Sequence, residues 1–132
     1  MESLSPQQIL FIHYRLIETT GGSHGVRDIG ALQAAAARPQ ASFGGKDLYS
    51  DAFAKAAALM ESIIKGHPFV DGNNRTAITA AAIFLRRCGY LIESSQDELY
   101  EFAMAMATGT AAVKDAENWL RTHAITLPMT RS

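Results

Sequence analysis

Two apolar, alanine-rich runs constrain this chain most: AFAKAAALMESII, from Ala52 to Ile64, and AITAAAIFL, from Ala77 to Leu85. Their apolar residues recur at helical spacing, and neither run approaches the roughly 18 apolar residues of a membrane span. Helices with this much apolar surface must be covered by other elements, so the chain has to fold as a helical protein built around them. The two runs flank HPFVDGNNRTA, His67–Ala77, eleven residues that carry most of the unusual polar chemistry of the sequence.

The remaining segments supply the covering helices. Ser5-Pro6-Gln7-Gln8 places a serine N-cap, a proline at the first helical position and a glutamine three residues after the cap, so a helix starts there. Its inward residues are Ile9, Ile12, Leu16 and Ile17, and Gly21-Gly22 ends it. A short helix opens near Asp28 and stops before Pro39. From Pro39 to Ser50 the sequence loses helical periodicity and carries Gly44-Gly45, which predicts a loop or small β hairpin and the best candidate for a mobile flap. A third helix runs from about Asp51 to Lys65, with Phe53, Ala56, Ala57, Met60, Ile63 and Ile64 as its buried stripe. Thr76 to Arg87 is apolar nearly all round and reads as the central helix. Ser95-Gln96-Asp97-Glu98 is a capping box ahead of Leu99, Phe102, Ala103 and Met106, and a last helix near Ala112–His123 offers Ala116, Trp119 and Leu120. The tail LPMTRS reads as frayed. The reading is all-α with the option of a small β flap, in one domain spanning 1–132 with its core at about 4–123.

At 132 residues the chain is long enough to bury a core without staples. One cysteine, Cys88, excludes an internal disulfide and a multi-cysteine metal site, and its apolar context makes it a small hydrophobe. A net charge of −1 gives no electrostatic footprint for nucleic acid, and Arg86-Arg87 suits a helix end or a solvated face. MESLSPQQ lacks the pattern of a secretory signal, so a cytoplasmic location, away from membranes, is the expectation. His13, His24 and His123 have no ligand spacing and read as structural or surface residues, as Trp119 reads as core or boundary. Gly44-Gly45-Lys46 lacks the remaining residues of a phosphate-binding P-loop.

The polar stretch is chemically dense. A loop that ends on a buried helix gathers free N–H groups and the positive end of the helix dipole at one point, which favours anions and phosphates above all. Gly72 permits close backbone approach, Asn73 can cap the helix or donate from its amide, and Arg75 can clamp phosphate oxygens. His67 can accept a proton near neutral pH, and Asp71 is a hard oxygen ligand suited to magnesium on phosphates. Taken singly these are a C-terminal histidine, a turn, a cap and a surface ion-pair partner. Taken together they suit phosphoryl-type transfer, which needs positioning and charge stabilisation.

His67, Phe69, Asp71, Gly72, Asn73 and Arg75 resemble the signature of the Fic/Doc (Fido) superfamily. Its Fic branch reads H-x-F-x-D/E-G-N-G-R-x-x-R and its Doc branch H-x-F-x-D-A/G-N-K-R. Gly21-Gly22, Gly25–Asp28, Ala37-Arg38-Pro39, Thr76-Ala77 and Phe84–Gly89 resemble the compact Doc (death-on-curing) type, so the likeness covers most of residues 4–123. The resemblance implies a compact helical bundle with His67 as base, Asp71 as magnesium-binding acid, and Asn73 and Arg75 in the phosphate site. Phe69 would anchor the loop. For the Doc type it implies a toxin that phosphorylates a threonine of elongation factor Tu with ATP and Mg2+, inhibiting translation. It also implies an antitoxin whose C-terminal helix docks in a groove, with Pro39–Ser50 at the place of the target-docking flap. For the Fic branch it implies AMP transfer to a protein hydroxyl.

Two positions depart from the signature. Asn74 stands where Fic has glycine and Doc has lysine, and Ile78 stands at the second arginine of Fic. Losing a charged hydrogen bond of roughly 1.5–3 kcal/mol would lower nucleotide affinity or rate about tenfold or more. Asn74 therefore keeps open a catalytically impaired binding module. Lys65, two residues before His67, is the candidate replacement charge, with a solvated helix-end lysine as its other reading. Ser94 to Glu98 has the spacing of the superfamily's inhibitory S/T-x-x-x-E-G/N motif, but Leu99 follows and the capping box accounts for it.

Overall fold

A computed structural model describes residues 3–128. Helix α1, Pro6–Thr20, opens on the capping box, in which Ser5 Oγ accepts from Gln8 N and Gln8 Oε1 accepts from Ser5 N. Helix α2, Ile29–Ala37, is capped by Asp28 and passes into a 3-10 turn at Arg38–Gln40. Strands β1, Ser42–Phe43, and β2, Lys46–Asp47, pair antiparallel around Gly44-Gly45, both with positive φ, so the segment read as a loop or hairpin is a hairpin. Helices α3, Ala52–Gly66, and α4, Asn73–Arg87, follow. Then come β3, Tyr90–Ile92, α5, Gln96–Ala107, α6, Val113–His123, and β4, Ala124–Thr126.

The centre of the fold is α3, not α4 as the apolar pattern suggested. Helix α3 packs against α2, the 3-10 turn, α4, α5 and α6. From Ala54 to Met60 it is buried on every side, so its alanines are small because neighbours approach closely all round. Helix α4 buries Ala77, Ala80, Ala81, Phe84 and Leu85, but its opposite side lies open between α1 and α5. It also begins earlier than Thr76: Asn73, Asn74 and Arg75 are already its first turn.

The hairpin is fastened to α3 by two cations. Lys55, 6% exposed in the middle of α3, donates from Nζ to the Pro39 carbonyl at 2.9 Å and lies 3.4 Å from Asp47. Arg38 bonds the Tyr49 hydroxyl and Ser62 and pairs with Glu61 at 2.7 Å. Phe43, at the tip, is 83% exposed.

A second small sheet was not legible in the sequence. Strands β3 and β4 pair antiparallel, Tyr90 opposite Thr126, and Leu127 N donates to Gly89 O. The start of the tail is thereby tied to the end of α4, while Met129–Ser132 lies outside the described residues. No described helix is long and apolar enough to cross a membrane. Cys88 is half-buried and its thiol pKa is raised by burial, which suits a small core residue. His24 pairs with Glu18 on the surface, and His123 and Trp119 stack at the α6 boundary.

Candidate active site

The polar loop hangs on one aromatic residue. Phe69 is 1% exposed and stacks flat on His13 of α1, with ring centroids 3.9 Å apart. Burying a phenylalanine contributes about 1.5–3 kcal/mol, enough to dominate the placement of a short loop. The chain between α1 and α2 closes over it: Val26 forms a bridge with Phe69, Val70 N donates to Gly25 O, and Arg27 N and Asp28 N both donate to Pro68 O. Asn73 completes the turn, its Oδ1 accepting from Phe69 N and its Nδ2 donating to Phe69 O, each at 3.0 Å. The amide of Asn73 is thus engaged inside the loop, and the helix N-cap is Gly72, which offers no side-chain cap.

His67 is the C-cap of α3, exposed, in the left-handed region at φ 48 and ψ 58. Its Nδ1 lies 3.5 Å from Asn73 Nδ2, at the outer limit of hydrogen bonding, so this contact does not fix the tautomer. Asp71 accepts from Ser23 N at 3.1 Å on one oxygen and from Gly72 N at 2.9 Å on the other. Those two backbone donors hold its carboxyl below the usual carboxylate range. The close approach needs Gly22, φ +115, where a Cβ would lie 2.6 Å from the carboxylate.

The first α-helical bond at this end runs from Thr76 N to Gly72 O, so the N–H groups of Asn73, Asn74 and Arg75 precede the helix ladder and face outward from its positive end. Arg75 donates to Thr20 Oγ1 of α1. A cleft of about 240 Å³ is lined by His67, Val70 to Arg75 and, from α5, Tyr100. A larger, mostly apolar groove of about 570 Å³ adjoins it along the open side of α4 and shares Arg75 and Tyr100 with it.

His67, Asp71, Gly72, Asn73, Asn74 and Arg75 are therefore brought around one cleft, and Phe69 is buried beneath it. Lys65 is not brought there: it is exposed in the last turn of α3 and does not line the cleft. Asn74 lines the cleft with its Nδ2 3.2 Å from Met104 Sδ of α5, a weak neutral contact. Ile78 is 5% exposed beneath the groove, where the Fic branch would have its second arginine. His13, read from the sequence as structural or surface, is structural and buried beneath the loop, while the sequence does not single out Tyr100 or the backbone of Gly22-Ser23 for the site. The burial of His13 could have been found, since it stands four residues from both Ile9 and Ile17 on the buried side of α1. Tyr100 and Ser23 carry no local signal.

The donor set fits magnesium held through phosphates. Each Asp71 oxygen accepts one N–H and keeps a free lone pair, and no cluster of three His, Cys, Asp or Glu occurs among the described residues. One carboxylate beside an anion site is what Mg2+ uses when substrate phosphates complete its shell.

Fold and loop together define a helical protein of the Fic/DOC class. The sequence model of the Fic/DOC family matches residues 3–85. The chain is 33% identical over 121 residues to Protein kinase doc of Escherichia phage P1, covering 92% of this chain and 94% of that protein. It is 48% identical over 77 residues to Toxin Doc of Mycolicibacterium smegmatis, covering 58% of this chain and 59% of that one. The chain belongs to the Fic/DOC family, and within it to the Doc type.

Proposed function

We propose that this chain is a Doc-type toxin of a toxin–antitoxin pair that transfers the γ-phosphoryl group of ATP to a protein hydroxyl in the cytoplasm. By resemblance the hydroxyl is a threonine of elongation factor Tu, and the outcome is inhibited translation. The reading is carried by one juxtaposition: an exposed imidazole, His67, stands over the uncapped N-terminus of α4 with the Asp71 carboxylate in the same cleft. The name of the phage relative, Protein kinase doc, favours phosphoryl over AMP transfer.

The target hydroxyl oxygen bonds to the γ-phosphorus, the bond to the β–γ bridging oxygen breaks, and ADP leaves. His67 takes the hydroxyl proton. The N–H groups of Asn73, Asn74 and Arg75 and the Arg75 guanidinium hold the phosphate oxygens, with Asp71 as magnesium ligand. Magnesium, when bound, neutralises charge on the phosphates. The open side of α4, with Ile78, Ala82 and Ile83 between α1 and α5, suits the apolar face of an antitoxin's C-terminal helix.

Incubation with magnesium, elongation factor Tu and ATP labelled at the α or γ position tests this. Label on the factor from γ only is expected, and His67→Ala should abolish it. Label from α would establish AMP transfer instead. A second reading, a catalytically impaired binding module, is motivated by Asn74, whose neutral amide contacts Met104 where the Doc signature has a lysine. Absence of either label, with antitoxin binding retained, is its expected result.

A further inference from the structure

Three successive carbonyls at the end of α3 accept from a single residue. Arg27 Nε donates to His67 O at 2.7 Å, Arg27 Nη2 donates to Gly66 O at 2.9 Å, and Arg27 N donates to Pro68 O at 2.7 Å. Carbonyls at a helix C-terminus lack intrahelical donors, and a cation there also meets the negative end of the helix dipole. His67 lies within this turn and is the only non-glycine residue with positive φ among those described. A residue with a Cβ enters that region uncommonly, histidine more often than most, because the Cβ crowds the neighbouring carbonyl. The turn is held by its bonds, the one from His67 N to Ile63 O at 3.2 Å and those from Arg27.

We infer that Arg27 is a positioning residue for His67. Its guanidinium fixes the Gly66 and His67 carbonyls, keeps residue 67 left-handed, and so aims the imidazole at Asn73 and the cleft. Arg27 does not line the cleft, so it acts through the backbone of the base and not on the nucleotide. The inference rests on the reading of His67 as the base. Losing the side chain leaves the rest of the clip in place, because the Val26–Phe69 bridge, the Val70–Gly25 bond and the Arg27 and Asp28 amides do not need it. Arg27→Ala should therefore fold.

The test compares the full chain with Arg27→Ala and Arg27→Lys. In Arg27→Ala the 13Cα and 13Cβ shifts of His67 are expected to leave the left-handed range, while those of Phe69 and Asp71 hold. Transfer of γ-phosphate should fall roughly tenfold or more in kcat with KM for ATP unchanged, since small misplacement of a reacting group costs rate more than binding. Affinity for Mg·ATP by calorimetry should stay within about twofold. Arg27→Lys should recover part of the rate, as one ammonium can serve one of the two carbonyls. The inference is overturned if His67 keeps its left-handed shifts in Arg27→Ala, or if kcat, ATP affinity and melting temperature fall together. Should the parent chain transfer no phosphate, the proposed function fails, while the chemical shifts still decide the role of Arg27.

Discussion

His13 and Phe69 lie face to face, their planes 2° from parallel and their centroids 3.9 Å apart, and His13 Nε2 bonds the carbonyl of Asp71 at 2.8 Å. One side chain of α1 thus supports both the apolar anchor of the loop and the backbone of its carboxylate. His13 is 2% exposed, and its pKa is lowered chiefly by desolvation, then by His24 and Arg75, against the raising effects of the bond to Asp71 and of its charge.

A folded pKa below 6.5 means the unfolded chain takes up this proton first. The contribution of His13 is complete above about pH 7 and is lost as pH falls below 6.5 toward the lowered folded value. Urea denaturation between pH 5 and 8 should show this slope, and His13→Phe should remove it. His13→Phe keeps the stack but leaves the Asp71 carbonyl unpaired, costing about 1–3 kcal/mol at pH 7.5. An unchanged slope in the variant would place the titration elsewhere.

Gly22 and Gly21 form a matched pair. Both have positive φ, but a Cβ on Gly21 meets nothing within 4 Å, whereas one on Gly22 meets Asp71. Each change to alanine should cost about 1–3 kcal/mol in backbone strain. Only Gly22→Ala should also weaken magnesium-dependent ATP binding, measured by calorimetry, because only it displaces the carboxylate. Equal binding losses would count against Asp71 as the metal ligand.

Lys55 joins α3 to the base of the hairpin through the Pro39 carbonyl. Lys55→Met preserves the buried stem but leaves that carbonyl unpaired, with an expected loss of about 1–3 kcal/mol. Hydrogen exchange should quicken over residues 42–48, including the Leu48 amide that bonds Ala41 O at 2.8 Å, and remain unchanged in α4. Protection retained in the hairpin would mean that Arg38 fastens it without help.

Asn74→Lys restores a charge at the mouth of the cleft, where Asn74 now faces Met104. Transfer of γ label should rise about tenfold or more, in keeping with a charged hydrogen bond to phosphate. Asn74→Ala should match the parent. A parent already as active as Asn74→Lys would remove the case for impairment.

Thr76 Oγ1 is the one buried side-chain polar atom without a hydrogen-bond partner among the described residues. Thr76→Val removes that hydroxyl at nearly constant shape and should raise stability by about 1 kcal/mol, read from thermal or urea unfolding. A loss of stability instead would indicate a water bound to the hydroxyl.

The sequence by itself determined the helices, because capping boxes at Ser5 and Ser95, Pro6 at the first helical position and apolar spacing are local signals. It also marked the polar stretch from His67 to Arg75 as the candidate site, and these residues do gather around one cleft. Tertiary structure alone decided which helix is central, since Ala-rich runs at 52–64 and 77–85 look alike until it is known that five elements surround the first and leave one side of the second open. It likewise decided that Lys65 stays away from the cleft, that β3 meets β4 across 36 residues, and that His13, Ser23, Arg27 and Tyr100 converge on the loop from α1, the α1–α2 connection and α5. Those contacts join residues distant along the chain, and local composition carries no record of which distant carbonyl or carboxylate a side chain or amide will meet.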